Sequence, residues 1–302
     1  MTQPILDPQR RYFDKWQMYR AMLGRDIGPC SLPATDRLTP VSLDKQTREF
    51  GTVYVKPLDS WGGHHVWRVA RAPVTNTTQQ AGAPSTSAPQ KTVKSAAPRP
   101  PLATRGQDQW VVSSQLIAGP VQLGSAIAVW HYITRYTSPA RSIIQQAAPV
   151  RTLNGRPFDI RVHMQRDAKG EWVCAGMLAR VGGTGSVVSN VEVSDGLVLP
   201  LPTLFKRLGL RSAKATQRRL RSQARAVGTA ICRVLDSYYR FAEVGIDLGL
   251  AEDNTFWLFE VNTNDALGAP SHELFLELPD TKIYKDMLRR AAERHNHLTA
   301  RN

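Results

Sequence analysis

From Phe158 to Gln165 apolar and polar residues alternate without a break, and after the turn-forming stretch Asp167–Gly170 a second, mostly apolar run extends from Glu171 to Arg180. A two-residue period interrupted by turn residues predicts a β-hairpin. Pairing Arg166 with Glu171 puts Phe158, Ile160, Val162, Met164, Val173, Ala175, Met177 and Ala179 on an apolar face. Asp159, Arg161, Gly176 and Arg180 then share the other face, with Gly176 across from Arg161 and room above it. A second hairpin is predicted from strands 244–250 and 255–261 around Ala251–Asn254. If Leu250 pairs with Thr255, the core face carries Val244, Ile246, Leu248, Leu250, Thr255, Trp257, Phe259 and Val261. Asp247 and Glu260 become diagonal neighbours on the opposite face, and Asn262 joins them at the strand end.

Shorter runs predict strands at 52–56, 65–69, 110–114 and 142–146. Helical spacing predicts helices over 8–23, 124–136, 206–239 (one or two) and 281–298, with an extended connector from Leu32 to Pro40 and a helical turn over 44–50.

Two carboxylates and an amide oxygen aimed at one point suit a hard cation such as magnesium, which takes a few protein oxygens and leaves its other positions to water and phosphate. The competing reading of Asp247, Glu260 and Asn262 is a solvated outer face; against it, Glu260 interrupts the apolar run Trp257–Val261. Arg161 and Arg180 with Asp159 read equally as a rim ion pair or as an anion site. Lys56 closes a strand and is followed by a loop with Gly62 and Gly63, which could lie over phosphates although no Walker spacing is present.

The 302 residues carry a net charge of +14, which points to an anionic partner without choosing among nucleotide, nucleic acid and other polyanions. Cys30, Cys174 and Cys232 show no disulfide or zinc spacing, so a reducing compartment, the cytoplasm, is expected. Met1–Arg20 is polar and mixed in charge, so no signal peptide is expected. Gln109–Thr134 is uncharged, but Pro120 and several serines, glutamines and glycines interrupt it, so no membrane span is expected. Residues 71–107 contain no acid and six prolines and read as a disordered insertion. Lys206–Arg225 is basic throughout, which is a solvated helix face or a docking surface for a polyanion.

The order of these pieces resembles the ATP-grasp superfamily, and within it the YheC/YheD-like family of endospore coat-associated proteins. The resemblance rests on Asp14–Trp16 with Leu32–Thr35, Val53–Pro57 with Gly62 and Gly63, Ile144–Gln146, Phe158–Val162, Ala179–Val181, Ser189–Asn190, Gly245–Asp247 and Phe259–Asn262. It implies an ATP-grasp fold, two α+β subdomains with the nucleotide cleft between them. A helix and linker over 1–42 would precede an N-terminal subdomain, 43–136, and a C-terminal subdomain, 137–298. It implies that Lys56 contacts the phosphates of ATP, that Gly62 and Gly63 cover them, and that Gln145 and Gln146 border the adenine. Arg161 and Arg180 would hold phosphate or an acyl phosphate, with Asn190 near them, and Asp247, Glu260 and Asn262 would bind Mg2+.

The implied activity is a carboxylate–amine ligase acting on unknown carboxylate and amine substrates. A non-catalytic protein of the same fold, associated with the spore coat, is the alternative, and a nucleic-acid binder is a third. The loop Ser60–His65 departs from the family in carrying Trp61 and no lysine or arginine, and Thr263–Ala266 stands where the family favours small residues and Pro-Gly.

Overall fold

The structure is a computed structural model and describes residues 13–60, 63–72, 109–210, 212–263 and 272–299. Two sheets organise it. The first has the order β1 (Cys30–Ser31), β13 (Phe256–Asn262), β12 (Glu243–Leu250), β9 (Arg156–Arg166), β10 (Trp172–Val181) and β11 (Leu197–Pro200), with β8 (Thr152–Leu153) paired to β9. The pair β1–β13 is parallel and the others are antiparallel. The second sheet is antiparallel, in the order β2 (Thr35–Arg37), β7 (Ser142–Gln146), β3 (Thr52–Pro57), β4 (Trp67–Ala72), β5 (Gln109–Ser114) and β6 (Val121–Leu123). The chain passes between the sheets at Ser31–Thr35 and at Gln146–Thr152, so the second sheet is intercalated in the first.

Each sheet buries one face under helices. Ile160, Val162, Met164, Ile246 and Leu248 of the first pack against Leu220, Val227, Ile231 and Leu235 of α6 (Lys214–Asp236) in the largest core, which Met18 and Met22 of α1 (Lys15–Met22) extend. Burying each such side chain is worth roughly 1.5–3 kcal/mol. Gly228 permits the close approach of α6, since a Cβ there would lie 2.6 Å from Met164 Sδ. The second sheet packs Val53, Val55, Trp67, Val69 and Val112 on Leu43 of α2 (Pro40–Phe50) and on Val129 and Ile133 of α3 (Ala126–Ile133).

Several expectations need correction. Thr39–Pro40 is not connector but helix start: Thr39 caps α2 by accepting from Ser42 N at 3.0 Å, and proline suits the first helical position. Arg71 and Ala72 continue β4, with the Arg71 guanidinium 5.4 Å from the Trp110 ring; the rest of the expected insertion lies outside the described residues. The basic run divides between α5 (Leu201–Arg207) and α6. In α6 Leu220, Ala224 and Val227 face the sheet and leave Lys214, Arg218, Arg219 and Arg225 exposed, the arrangement of an outer face. Among the described residues no helix is long and apolar enough to cross a membrane.

Both hairpins carry a β-bulge that shifts their registers. Gly176 lies across from His163, not Arg161, and the space above it is filled: a Cβ there would meet Met287, Ile283 and Phe275 at 2.6–2.8 Å. Ile283 and Met287 belong to α7 (Lys282–Thr299) and Phe275 to a 3-10 turn, Glu273–Glu277. In the other hairpin Leu250 pairs with Phe256, so Phe256 and Leu258 are core and Trp257 and Phe259 are not. A bulge between Asp247 and Leu248, with Phe259 the extra residue on β13, then restores Val261 to the core and sets Asp247 directly opposite Glu260.

Candidate functional site

The face of the first sheet turned away from α6 carries a row of ionisable side chains. Alternation along β9 and β12 places Asp159, Arg161 and Asp247 there, and β10 adds Arg180 directly across from Asp159. Arg161 grips Asp247 with two nitrogens, Nε to Oδ1 and Nη2 to Oδ2, the latter at 3.1 Å. Arg180 grips Asp159 at 2.9 and 2.7 Å and reaches Asp247 Oδ2 at 2.7 Å. Ser189 donates to Asp159, and Asn262 donates Nδ2 to Asp247 Oδ2 at 3.2 Å. All four charged groups are buried.

Burial pushes the Asp247 carboxyl up, but Arg161 and Arg180 outweigh it and hold it at about 2. Asp159 goes the other way, because burial and the nearby Asp247 charge exceed the pull of Arg180. For Arg180, burial lowers the pKa, but the two aspartates prevail and raise it.

At the open end of the row stands Glu260, which forms an ion pair with Lys15 Nζ at 3.1 Å. Lys15, at the start of α1, also donates from Nζ to the carbonyl of Ser60, and its backbone N–H reaches Leu58 O at 3.2 Å. Lys56 comes from the second sheet. Burial lowers its ammonium to about 8, opposed by Glu260 and Asp247 and assisted by Lys15. The two sheets therefore meet over one polar cleft, with Lys15 and Lys56 facing Glu260 and Asp247.

Gln145 accepts from Lys56 Nζ at 2.6 Å and donates to Thr35 Oγ1 at 3.0 Å, and Gln146 accepts from Ala34 N at 3.1 Å. Both glutamines thus brace the passage between the sheets. Gly63 has φ +78° and approaches Val188 of the first sheet's loop, where a Cβ would lie 3.0 Å from Val188 Cγ2. Gly62 lies outside the described residues. Asn190 is half-buried next to Ser189, and its carbonyl accepts from Ser194 Oγ. Lys15 has no expected role although it lies in the segment Asp14–Trp16, whereas Asp159, expected beside Arg161 and Arg180, forms the ion pair with Arg180.

The donor chemistry fits Mg2+. Glu260 is partly exposed, Asn262 is half-buried, and Asp247 is the buried member of the set. Four hydrogen bonds, one to Asp247 Oδ1 and three to Oδ2, take up about the four acceptor sites that a carboxylate offers, so an ion at this end would draw first on Glu260 and the Asn262 amide oxygen. The Lys15 ammonium at Glu260 shows that this end of the row accommodates positive charge.

The description "YheC/D like ATP-grasp" fits a family model that matches residues 4–298. The endospore coat-associated protein YheD of Bacillus subtilis (strain 168) is 23% identical over 140 residues, which is 46% of this chain and only 29% of that protein. Among solved structures, D-cycloserine synthetase DcsG aligns over 93% of this chain and 70% of its own, at 13% identity and a TM-score of 0.49. N5-carboxyaminoimidazole ribonucleotide synthetase from Thermotoga maritima aligns over 93% and 48%, at 11% identity and a TM-score of 0.42. With the family match extending over nearly every residue, the two-lobed α+β architecture is an ATP-grasp fold, and the chain belongs to the YheC/D-like ATP-grasp family.

Proposed function

We propose that the chain is an ATP- and Mg2+-dependent ligase that joins a carboxylate to an amine. The supporting observation is the convergence of Lys56 from one sheet with Glu260 and Asp247 from the other across a single cleft. Lys56 and Lys15 would take the phosphates of ATP, and Gly63, close to Val188, would keep water from the cleft. Glu260 and Asn262, beside Asp247, would hold Mg2+, which neutralises triphosphate charge when bound. Arg161 and Arg180 orient the cleft floor through Asp247 and Asp159. In the reaction a carboxylate oxygen of the substrate attacks the γ-phosphorus of ATP and ADP leaves. The amine nitrogen then attacks the acyl carbon, phosphate leaves, and the amine's surplus proton is released.

A second reading is supported by the same floor. Arg161 and Arg180 are each bound bidentately to a buried aspartate, and the Lys15–Glu260 pair stands at the metal end. A protein that keeps the fold for assembly, as an endospore coat-associated relative suggests, would tolerate such pairing.

Thermal-shift titration with ATP and Mg2+ tests the nucleotide site. Wild type should gain melting temperature and Glu260→Ala should gain none; a shift independent of Mg2+, or no shift, removes the ligase reading. ADP release driven by an added carboxylate then separates ligase from assembly protein.

A further inference from the structure

On the same sheet face as the cleft, but beneath α7, three ligand-type side chains from three separate segments converge. His163 follows Arg161 by one turn of the alternation on β9, Glu243 opens β12, and His272 precedes the 3-10 turn. His163 Nε2 lies 3.2 Å and His272 Nδ1 2.9 Å from Glu243 Oε2, and the three ligand atoms all fall within 4.8 Å of one another. Bonds of ~2.0–2.1 Å to a tetrahedral Zn2+ separate its donors by about 3.3 Å. The observed spacings are therefore those of a set that can close on one ion with small adjustments.

The surroundings form a recess. Both cross-strand neighbours of His163 are glycines, Gly176 on β10 and Gly245 on β12, so no side chain crowds the imidazole along the sheet. Phe275, Ile283 and Met287 roof the position over Gly176, and the His163 ring lies 5.9 Å from the rings of both Phe275 and His272. His163 is fully buried and Glu243 nearly so, while His272 keeps 11% of its side chain exposed and marks the way in. An apolar roof over two imidazoles and a carboxylate is costly unless the polar atoms are engaged by strong partners.

We infer that His163, Glu243 and His272 form a binding site for a zinc-class divalent cation, distinct from the magnesium end of the cleft. Two imidazoles and one carboxylate with a fourth position left to water match zinc's preferences, whereas magnesium favours oxygen donors throughout. The bound ion would tie β9, β12 and the segment leading into α7 into one unit.

The test uses the full chain, loaded with Zn2+, dialysed, and assayed by elemental analysis. Wild type should retain one equivalent of zinc, His272→Ala should retain none while keeping its fold by circular dichroism, and Glu260→Ala should retain the full equivalent. Co2+ added to metal-free wild type should give the intense visible absorption of a tetrahedral nitrogen–oxygen site and should be displaced by Zn2+. Absence of retained zinc in wild type, equal retention in His272→Ala, loss from Glu260→Ala, or a weak octahedral cobalt spectrum would each overturn the inference; the first leaves a hydrogen-bonded His–Glu–His cluster.

Discussion

Lys56 is the residue whose chemistry most depends on where the fold puts it. Burial brings its ammonium down to about 8 from an ordinary 10.5. In the free protein it is therefore largely protonated at pH 7 and largely neutral at pH 9. If its charge holds phosphate, ATP affinity should fall as pH rises through about 8, and Lys56→Arg should flatten the profile; isothermal titration at several pH values measures both. The same shift has a stability sign. Between pH 8 and 10.5 the unfolded chain binds more protons than the folded one, so the contribution of Lys56 becomes more favourable as pH rises across that window. Arg161 offers a contrasting test. Removing it strands Asp247 in a buried position with Arg180 as its remaining guanidinium, and Arg161→Ala should cost about 3 kcal/mol in urea unfolding.

At the scale of elements, Gly176 decides how closely α7 can lie on β10. Gly176→Val should push Phe275, Ile283 and Met287 outward and destabilise the protein by ~1–3 kcal/mol, with faster amide exchange along α7. Gly124→Ala, where a Cβ meets nothing within 4 Å, should change little and serves as the control. The elements were largely legible in the sequence because their periods are clean: Phe158–Arg166 announces its two faces, and Ser142–Gln146 is a strand with the bounds expected. The bulges were not legible. In Phe256–Phe259 every residue is apolar, so alternation gives no indication of which two point inward, and an extra residue moves the register without leaving a trace in composition. The juxtaposition of Asp247 with Glu260 survived that error because both the expected and the observed registers keep them on one face. The His163–Glu243–His272 cluster was hidden for a different reason. Its members are far apart in sequence, and only pairing β9 with β12 and folding the 3-10 turn back on them brings the three together.

For the whole molecule, the governing fact is how the two sheets share the chain. Residues 35–146 supply every strand of the second sheet, and two of its pairings, β3 with β4 and β5 with β6, join strands close in sequence. The first sheet draws on both sides of that block, and its edge pairs Cys30 with Phe256. Lobe-to-lobe contacts at the mouth, Gln115 Nε2 to Ser186 Oγ at 2.7 Å and Gly63 against Val188, form once both units exist. Local pairings close small loops and form early, whereas a pairing across a long intervening stretch must first overcome its closure entropy. Pulse-labelled hydrogen exchange during refolding should therefore protect the amides of β3, β4 and β5 before those of β1. On a ribosome the consequence is sharper: Cys30 and Ser31 leave the exit tunnel well before Phe256 and Trp257 are translated, so this edge strand of the sheet that carries Asp247 and Glu260 waits longer for its partner than any described strand of the second sheet waits for its own.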